Sequence, residues 1–226
     1  MTLPFRIGRL RPPVLCLIIG KDSVKEGDIE STVAAAVAGG VTMVQLRDRA
    51  MPAGEMLDMA RRLKTITRGK ALLIVNDRVD VAIAAEADGV QLPEDGLAAI
   101  VARGLIGKYS VLGRSVHGVD AAVQAGREGA EFVIAGTIYK SPSKPDAKPV
   151  GPGLISDITK AVNLPVVAVG GITAANVSEV VQAGAAGVAV ISAIAGADDS
   201  KAAAAELSKA LAEAWAARKE SLAASA

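Results

Sequence analysis

Short apolar runs recur along the chain at residues 14–19, 41–46, 71–75, 89–92, 111–115, 131–135, 165–169 and 187–191. They are rich in Val, Ile and Leu and mostly lack alternation, the pattern of strands covered on both faces in a parallel sheet. The stretches between them read as helices over 29–38, 54–66, 79–85, 97–103, 119–128, 154–162, 176–183 and 200–218. Ala-Gly-Gly-Val at 38–41, Glu-Gly-Ala-Glu-Phe at 128–132 and Ala-Gly-Ala-Ala-Gly-Val at 183–188 form a weak internal repeat. Each reads as a helix end, a glycine cap and the next strand. Eight alternating units predict an α/β protein built as a single (β/α)8 TIM barrel. A doubly wound open sheet is the runner-up, but the first strand ends in Gly20-Lys21-Asp22 without the glycine-rich fingerprint of that fold. No linker divides the chain, so the reading is an extension over 1–13, one domain over 14–220 and a tail over 221–226.

Composition narrows the functional classes. Lys+Arg number 25 against Asp+Glu 24, a net charge of +1, which argues against a nucleic-acid or membrane-surface binder. Aromatic residues are 2% of the chain, too few for base-stacking platforms. One cysteine, Cys16, cannot form an internal disulfide, which predicts a reducing compartment. With one Cys and one His, no Cys/His metal cluster is available. Arg6, Arg9 and Arg11 precede an apolar run too short for an export signal, and no run approaches 18 residues. The expectation is a cytoplasmic protein whose partners are small molecules, with neither nucleic acid nor membrane among them; a homo-oligomer is compatible.

In a barrel of this kind the active site lies at the C-terminal ends of the strands. Seven of those ends are polar in register. Gly170-Gly171 before a helix starting near Ala174 forms a backbone nest that suits phosphate, and Ile191-Ser192 opens the next helix beside it. A lone Gly-Gly pair equally makes a tight turn; the paired position on strand eight favours the anion. Ser141, Ser143 and Lys144 lie in a long loop stiffened by Pro142, Pro145 and Pro149 and suit a second phosphate or diphosphate. Asn76-Asp77 follows strand three and is either a Mg²⁺ locus or a helix cap, the cap being the simpler reading of those residues alone. Arg47 and Arg49 alternate around Asp48 after strand two, fitting either a diphosphate clamp or a surface Arg–Asp pair. His117 is the sole histidine; such a residue is more often structural, but at a strand end it suits proton transfer.

These residues resemble the thiamine-phosphate synthase/TenI family. The resemblance rests on Gln45-Leu46-Arg47, Val75-Asn76-Asp77, Asp88-Gly89-Val90, Gly113-Arg114-Ser115-Val116-His117, residues 136–144, Val169-Gly170-Gly171-Ile172-Thr173 and residues 183–194. It runs from about residue 14 to 214. It implies a barrel enzyme of thiamin biosynthesis that joins a pyrimidine methyl diphosphate to a thiazole phosphate with Mg²⁺. Carried over, Gln45, Arg47, Asn76, Ser143 and Lys144 correspond to the pyrimidine-diphosphate set, with Arg49 and Ser141 beside them. Asp77 corresponds to one Mg²⁺ ligand, Ser115 to a diphosphate or pyrimidine contact, and Gly171, Ile191 and Ser192 to the thiazole-phosphate set.

The chain departs from the synthase pattern in places. Arg47-Asp48-Arg49 stands where synthases carry Arg-Glu-Lys, and Ser141-Pro142-Ser143-Lys144 where they carry Thr-x-Thr-Lys. After strand four, Gln91-Leu92-Pro93-Glu94-Asp95-Gly96 stands where synthases read His-(Val/Ile/Leu)-Gly-Gln-x-Asp. The second Mg²⁺ ligand thus falls on Gly96, with Asp95 one residue early. The Gln-Leu-Pro and Gly-Arg-Ser-Val-His wording is closer to the TenI branch, a thiazole tautomerase. The reading favours the synthase, with Arg47, His117 and Lys144 as catalytic candidates and Asp77 and Asp95 as metal ligands, Glu94 being the alternative to Asp95. The alternatives are the tautomerase, with His117 moving the proton, and a non-catalytic barrel that binds thiazole phosphate and regulates.

Overall fold

The computed structural model describes residues 10–24, 28–141 and 146–224. Its eight strands are β1 (Val14–Ile19), β2 (Met43–Leu46), β3 (Leu72–Asn76), β4 (Gly89–Leu92), β5 (Val111–Val116), β6 (Phe132–Ala135), β7 (Val166–Val169) and β8 (Gly187–Val190). They pair in chain order, always parallel, and β8 closes on β1. The (β/α)8 barrel is therefore the fold. Outside it lie α1 (Ile29–Ala38), α2 (Ala53–Thr67), α3 (Val79–Ala84), α4 (Ala99–Ile106), α5 (Val119–Arg127), α6 (Gly153–Ala161) and α7 (Val177–Gln182). A one-turn α8 (Ser192–Ala195) and the long α9 (Ser200–Ala224) complete the ring, with α9 packed on α1 and α7.

The strands read as continuous apolar runs because both of their faces are buried. Val14, Cys16 and Ile18 point into the barrel with Met43, Ile74, Phe132, Val167 and Ala189. Leu15, Leu17 and Ile19 point outward against the helices with Val44, Leu46 and Val33. Phe132 is the one aromatic ring of the interior cluster, and Gly113 on the neighbouring strand makes room for it. A Cβ at Gly113 would sit 2.3 Å from Phe132 Cζ.

Several boundaries differ from the sequence-based expectation. β2 starts at Met43, not 41, because Gly40 turns the chain out of α1 at φ +108° and Thr42 Oγ1 accepts the Leu15 N–H at 3.1 Å. α4 starts at Ala99, not 97, because a turn closed by Gly96 N–H to the Pro93 carbonyl (3.0 Å) intervenes. α7 starts at Val177, one residue after the expected 176 and three after the Ala174 start read for the glycine nest. There the Asn176 side chain takes the Thr173 N–H at 2.9 Å and donates to the Gly171 carbonyl at 3.0 Å. α9 continues through residues 221–224, which the sequence reading set apart as tail. No described helix is long and apolar enough to cross a membrane.

Candidate active site

Four polar side chains line the barrel interior on four consecutive strands. Gln45 on β2 is 2% exposed and its Nε2 lies 3.5 Å from Asn76 Oδ1 on β3. Gln91 on β4 is fully buried and its Nε2 donates to Ser115 Oγ on β5 at 3.1 Å. The side-chain amide oxygens Oε1 of both glutamines are buried without a partner. Turning the Gln91 amide over does not help, since Ser115 can satisfy only one end of it. The other half of the interior is apolar, with Ile18 and Ile134 buried and Val169 and Ile191 packed against them. The mouth thus offers amide groups on one side and a hydrocarbon wall on the other.

Arg47 follows β2 half-buried; burial, reinforced by the like charge of Arg49, lowers its pKa. Neither arginine has an ion-pair partner among the described residues. The surface-pair reading of Arg47 with Asp48 is overturned, because Asp48 is committed to backbone. Its carboxylate accepts N–H bonds from Lys21, Ala50 and Met51, each at 3.0 Å. Partial burial opposes ionisation there, but those bonds hold the Asp48 pKa below the usual carboxylate range. Asp48 pins the loops after β1 and β2 together, and the two arginines are left unpaired.

Asp77 is not the cap of α3, which was the simpler expectation. The cap position is Arg78, without a side-chain bond, and the Arg78 guanidinium is spent on Asp80 at 2.9 Å. Asp77 instead holds a left-handed backbone (φ 66°), a conformation that is costly for most side chains and collects at functional sites. Its N–H is fixed on the Gln91 carbonyl at 2.8 Å. Its carboxylate faces the turn after β4, where a Cβ on Gly96 would lie 3.1 Å from Oδ1. The position facing Asp77 is therefore Gly96; Asp95, next to it, is exposed on the turn. That turn is clamped by Arg114 on β5, which donates to the Leu97 carbonyl and, at 2.7 Å, to the Glu94 carbonyl. The Glu94 carboxylate is held against His117 Nδ1. Among the described residues no group of three metal-ligating side chains converges.

Across the mouth, Gly170 and Gly171 take successive positive φ values of 106° and 63°. Any side chain at Gly171 would meet the Lys140 carbonyl at 2.3 Å, so the nest is packed directly on the loop after β6. Tyr139 of that loop donates to Glu179 on α7 at 2.8 Å, and burial, then that bond, pushes its pKa up to about 12. Ile191 leads straight into α8, whose first N–H groups, beginning at Ser192, lack intrahelical partners. Ser141 lies within the same β6 loop; Ser143 and Lys144 fall outside the described residues. The sequence reading gave no role to Gln91 or Arg114, and it considered Glu94 as an alternative metal ligand rather than as the partner of His117. The alternation of β4, which puts Gln91 on the same face as Gly89, was the available signal for the first.

The comparisons with known proteins are concordant. The family profile described as thiamine monophosphate synthase matches residues 15–194. A thiamine-phosphate synthase of Roseiflexus castenholzii is 45% identical over 203 residues, 89% of this chain and 88% of that protein. One of Methanoculleus marisnigri is 45% identical over 193 residues, 84% and 92% of the two chains. The solved thiamine phosphate pyrophosphorylase of Pyrococcus furiosus superposes with a TM-score of 0.82 at 37% identity, covering 89% of this chain and 96% of that one.

Proposed function

The chain belongs to the thiamine monophosphate synthase family, and we infer that its rim carries out the coupling step of thiamin biosynthesis. It acts as a transferase on small phosphorylated substrates. The C–O bond of hydroxymethylpyrimidine diphosphate breaks, a new C–N bond forms to the ring nitrogen of a thiazole phosphate, and diphosphate leaves. One observation carries this assignment. Arg47 and Asp77, at the ends of adjacent strands, are a desolvated cation and an anion on a left-handed backbone, neither with an ion-pair or side-chain hydrogen-bond partner among the described residues. A diphosphate with a divalent cation is complementary to both.

The amide arc of Gln45, Asn76 and Gln91 orients the pyrimidine, whose amino and ring nitrogens match amide donors and acceptors. The aliphatic wall takes the rest of the rings. Arg47 and Arg49 meet the diphosphate, joined by Ser141, Ser143 and Lys144, and are aimed where charge grows as the C–O bond ionises. A preorganised donor of this kind is worth roughly 10²–10³ in rate. Gly171, Ile191 and Ser192 hold the thiazole phosphate on bare N–H groups. Asp77 fits Mg²⁺, which takes one or two carboxylates and completes its shell from substrate oxygens and water. Bound there, the ion supplies charge neutralisation of the leaving diphosphate. Asp95 contributes a second oxygen only if the clamped turn reopens.

A second reading rests on the His117–Glu94 pair. A carboxylate that orients an imidazole is the arrangement of a proton shuttle, as a thiazole tautomerase needs. Incubating the protein with both substrates and Mg²⁺ decides. Release of diphosphate with formation of thiamine phosphate is the expected result. Isomerisation of the thiazole without diphosphate release would replace the synthase by the tautomerase.

A further inference from the structure

The outer face of α4 departs from what a barrel helix presents to water. Its exposed positions are Ile100, Val101, Gly104 and Leu105, without one polar group. The single charged residue of the helix, Arg103, folds away from that face and donates to the carbonyls of Gly107 at 2.9 Å and Ser110 at 2.8 Å. By contrast α2, another outer helix, exposes Glu55, Asp58, Arg61 and Arg62. A surface helix ordinarily carries charge opposite its buried stripe, and one that is apolar all round is covered by something.

The patch extends beyond the helix. Ile83 on α3 is 51% exposed, Leu97 41%, Ile100 61%, Val101 49%, Leu105 58% and Tyr109 67%. These are six of the eight exposed large hydrophobic residues among the described residues. Between α3 and α4 lies a dimple of about 170 Å³ lined by Ile83, Leu105 and Ile106 together with Glu86 and Ser110. At the centre of the face sits Gly104. A glycine inside a helix costs about 1 kcal/mol relative to alanine, and nothing within the chain asks for it. A Cβ there would meet no atom within 4 Å.

We propose that this face is a two-fold interface with a second copy of the same chain, the two α4 helices crossing at Gly104. A helix that carries both ridge and notch is complementary to itself, as an isologous contact requires. A glycine at the crossing lets the second backbone approach closely, with the flanking Ile100 and Leu105 as ridges. Together those six residues expose roughly 600–700 Å², backbone and the Tyr109 hydroxyl included, against ~800 Å² per partner of a standard stable interface. A membrane surface fits less well. The cation beside the patch, Lys108, stands over the Tyr109 ring at 5.1 Å, and the chain's net charge is +1. The face lies on the barrel's flank, so the strand ends of both copies stay open.

Sedimentation velocity of the full chain over a wide concentration range tests the assignment. The wild type should sediment as a dimer. Leu105→Glu should leave a monomer with an unchanged far-UV circular dichroism spectrum. Gly104→Leu should raise the dimer dissociation constant at least tenfold. Because no atom of the chain itself approaches that Cβ, a loss there is intermolecular, and this variant decides the matter should Leu105→Glu fail to fold. A wild type that stays monomeric at every concentration overturns the proposal, and flotation of that monomer with phosphatidylcholine vesicles would assign the face to a membrane instead. A dimer that survives both substitutions also overturns it, because its interface then lies elsewhere.

Discussion

At Gln91 the barrel keeps a fully buried amide with one end unpaired. Such an orphan costs roughly 1–3 kcal/mol, a cost that persists where a ligand supplies the missing partner. Gln91→Leu should therefore raise the melting temperature of the free protein by a few degrees, the equivalent of about 1 kcal/mol. It should also raise KM for the pyrimidine diphosphate about tenfold and leave KM for the thiazole phosphate alone. An unchanged pyrimidine KM would reduce Gln91 to a structural polar residue. Cys16 makes a different statement. Burial pushes its thiol from 9.0 up to about 12, so the folded protein keeps the proton while the unfolded chain releases it above pH 9.0. Stability contributed by the neutral thiol is complete below pH 9.0 and is lost as pH rises toward 12, by about 1.4 kcal/mol per pH unit in that window. Melting curves should show that alkaline decline in the wild type and a shallower one in Cys16→Val. Much at this scale was legible in the chain. Gln45, Arg47 and Asn76 sit at strand ends where the pattern put them. Asp77 was not readable, because a capping role and a left-handed turn draw on the same residue type. Only the backbone torsion separates the two.

Among the elements, the strands were legible and the connections less so. A buried parallel strand announces itself by composition, whereas the turn over 93–97 is decided by contacts from twenty residues away. Arg114 reaches back to hold the carbonyls of Glu94 and Leu97, and His117 meets Glu94 across the same gap. Those bonds displace the start of α4 and set which residue faces Asp77. Nothing local in Gln-Leu-Pro-Glu-Asp-Gly encodes them. The start of α7 was read to within one residue at 176, and the earlier placement near Ala174 fails because the Asn176 side chain closes a turn before the helix begins. Arg114→Ala tests the clamp. Loss of two charge-assisted bonds should cost about 1–2 kcal/mol in chemical denaturation, reduced from the buried value because Arg114 is partly exposed. If the clamp also keeps Asp95 turned outward, the variant should need a lower Mg²⁺ concentration for half-maximal coupling. A stability loss with an unaltered Mg²⁺ requirement would confine Arg114 to holding the turn.

For the whole molecule, the separation between scaffold and chemistry organises what binding should do. The aliphatic barrel was foreseeable from eight apolar runs; the charge-free flank of α4 emerges only when Arg103 is seen folded onto backbone carbonyls. At the mouth, Asp77 faces a glycine rather than a second acid, so its carboxylate alone is a weak seat for a divalent cation. Metal and diphosphate should then stabilise the fold cooperatively, each raising the affinity for the other by the same factor. Mg²⁺ by itself should scarcely move the melting temperature. Inorganic diphosphate alone should move it modestly through Arg47 and Arg49. Together, near one hundred times the dissociation constant, they should contribute about 2.7 kcal/mol, on the order of 5–10 °C for a chain of this size, and EDTA should reverse the metal-dependent part. Asp77→Asn is the informative partner variant. Asparagine tolerates the left-handed conformation as well as aspartate does, so the fold is kept while the charge is removed. That variant should retain the shift from diphosphate alone, lose the increment due to Mg²⁺, and release diphosphate at least a hundredfold more slowly in the coupling assay. Strictly additive shifts in the wild type, or a full metal increment in Asp77→Asn, would move the cation away from the end of β3 and leave Asp77 as a strained turn without a ligand.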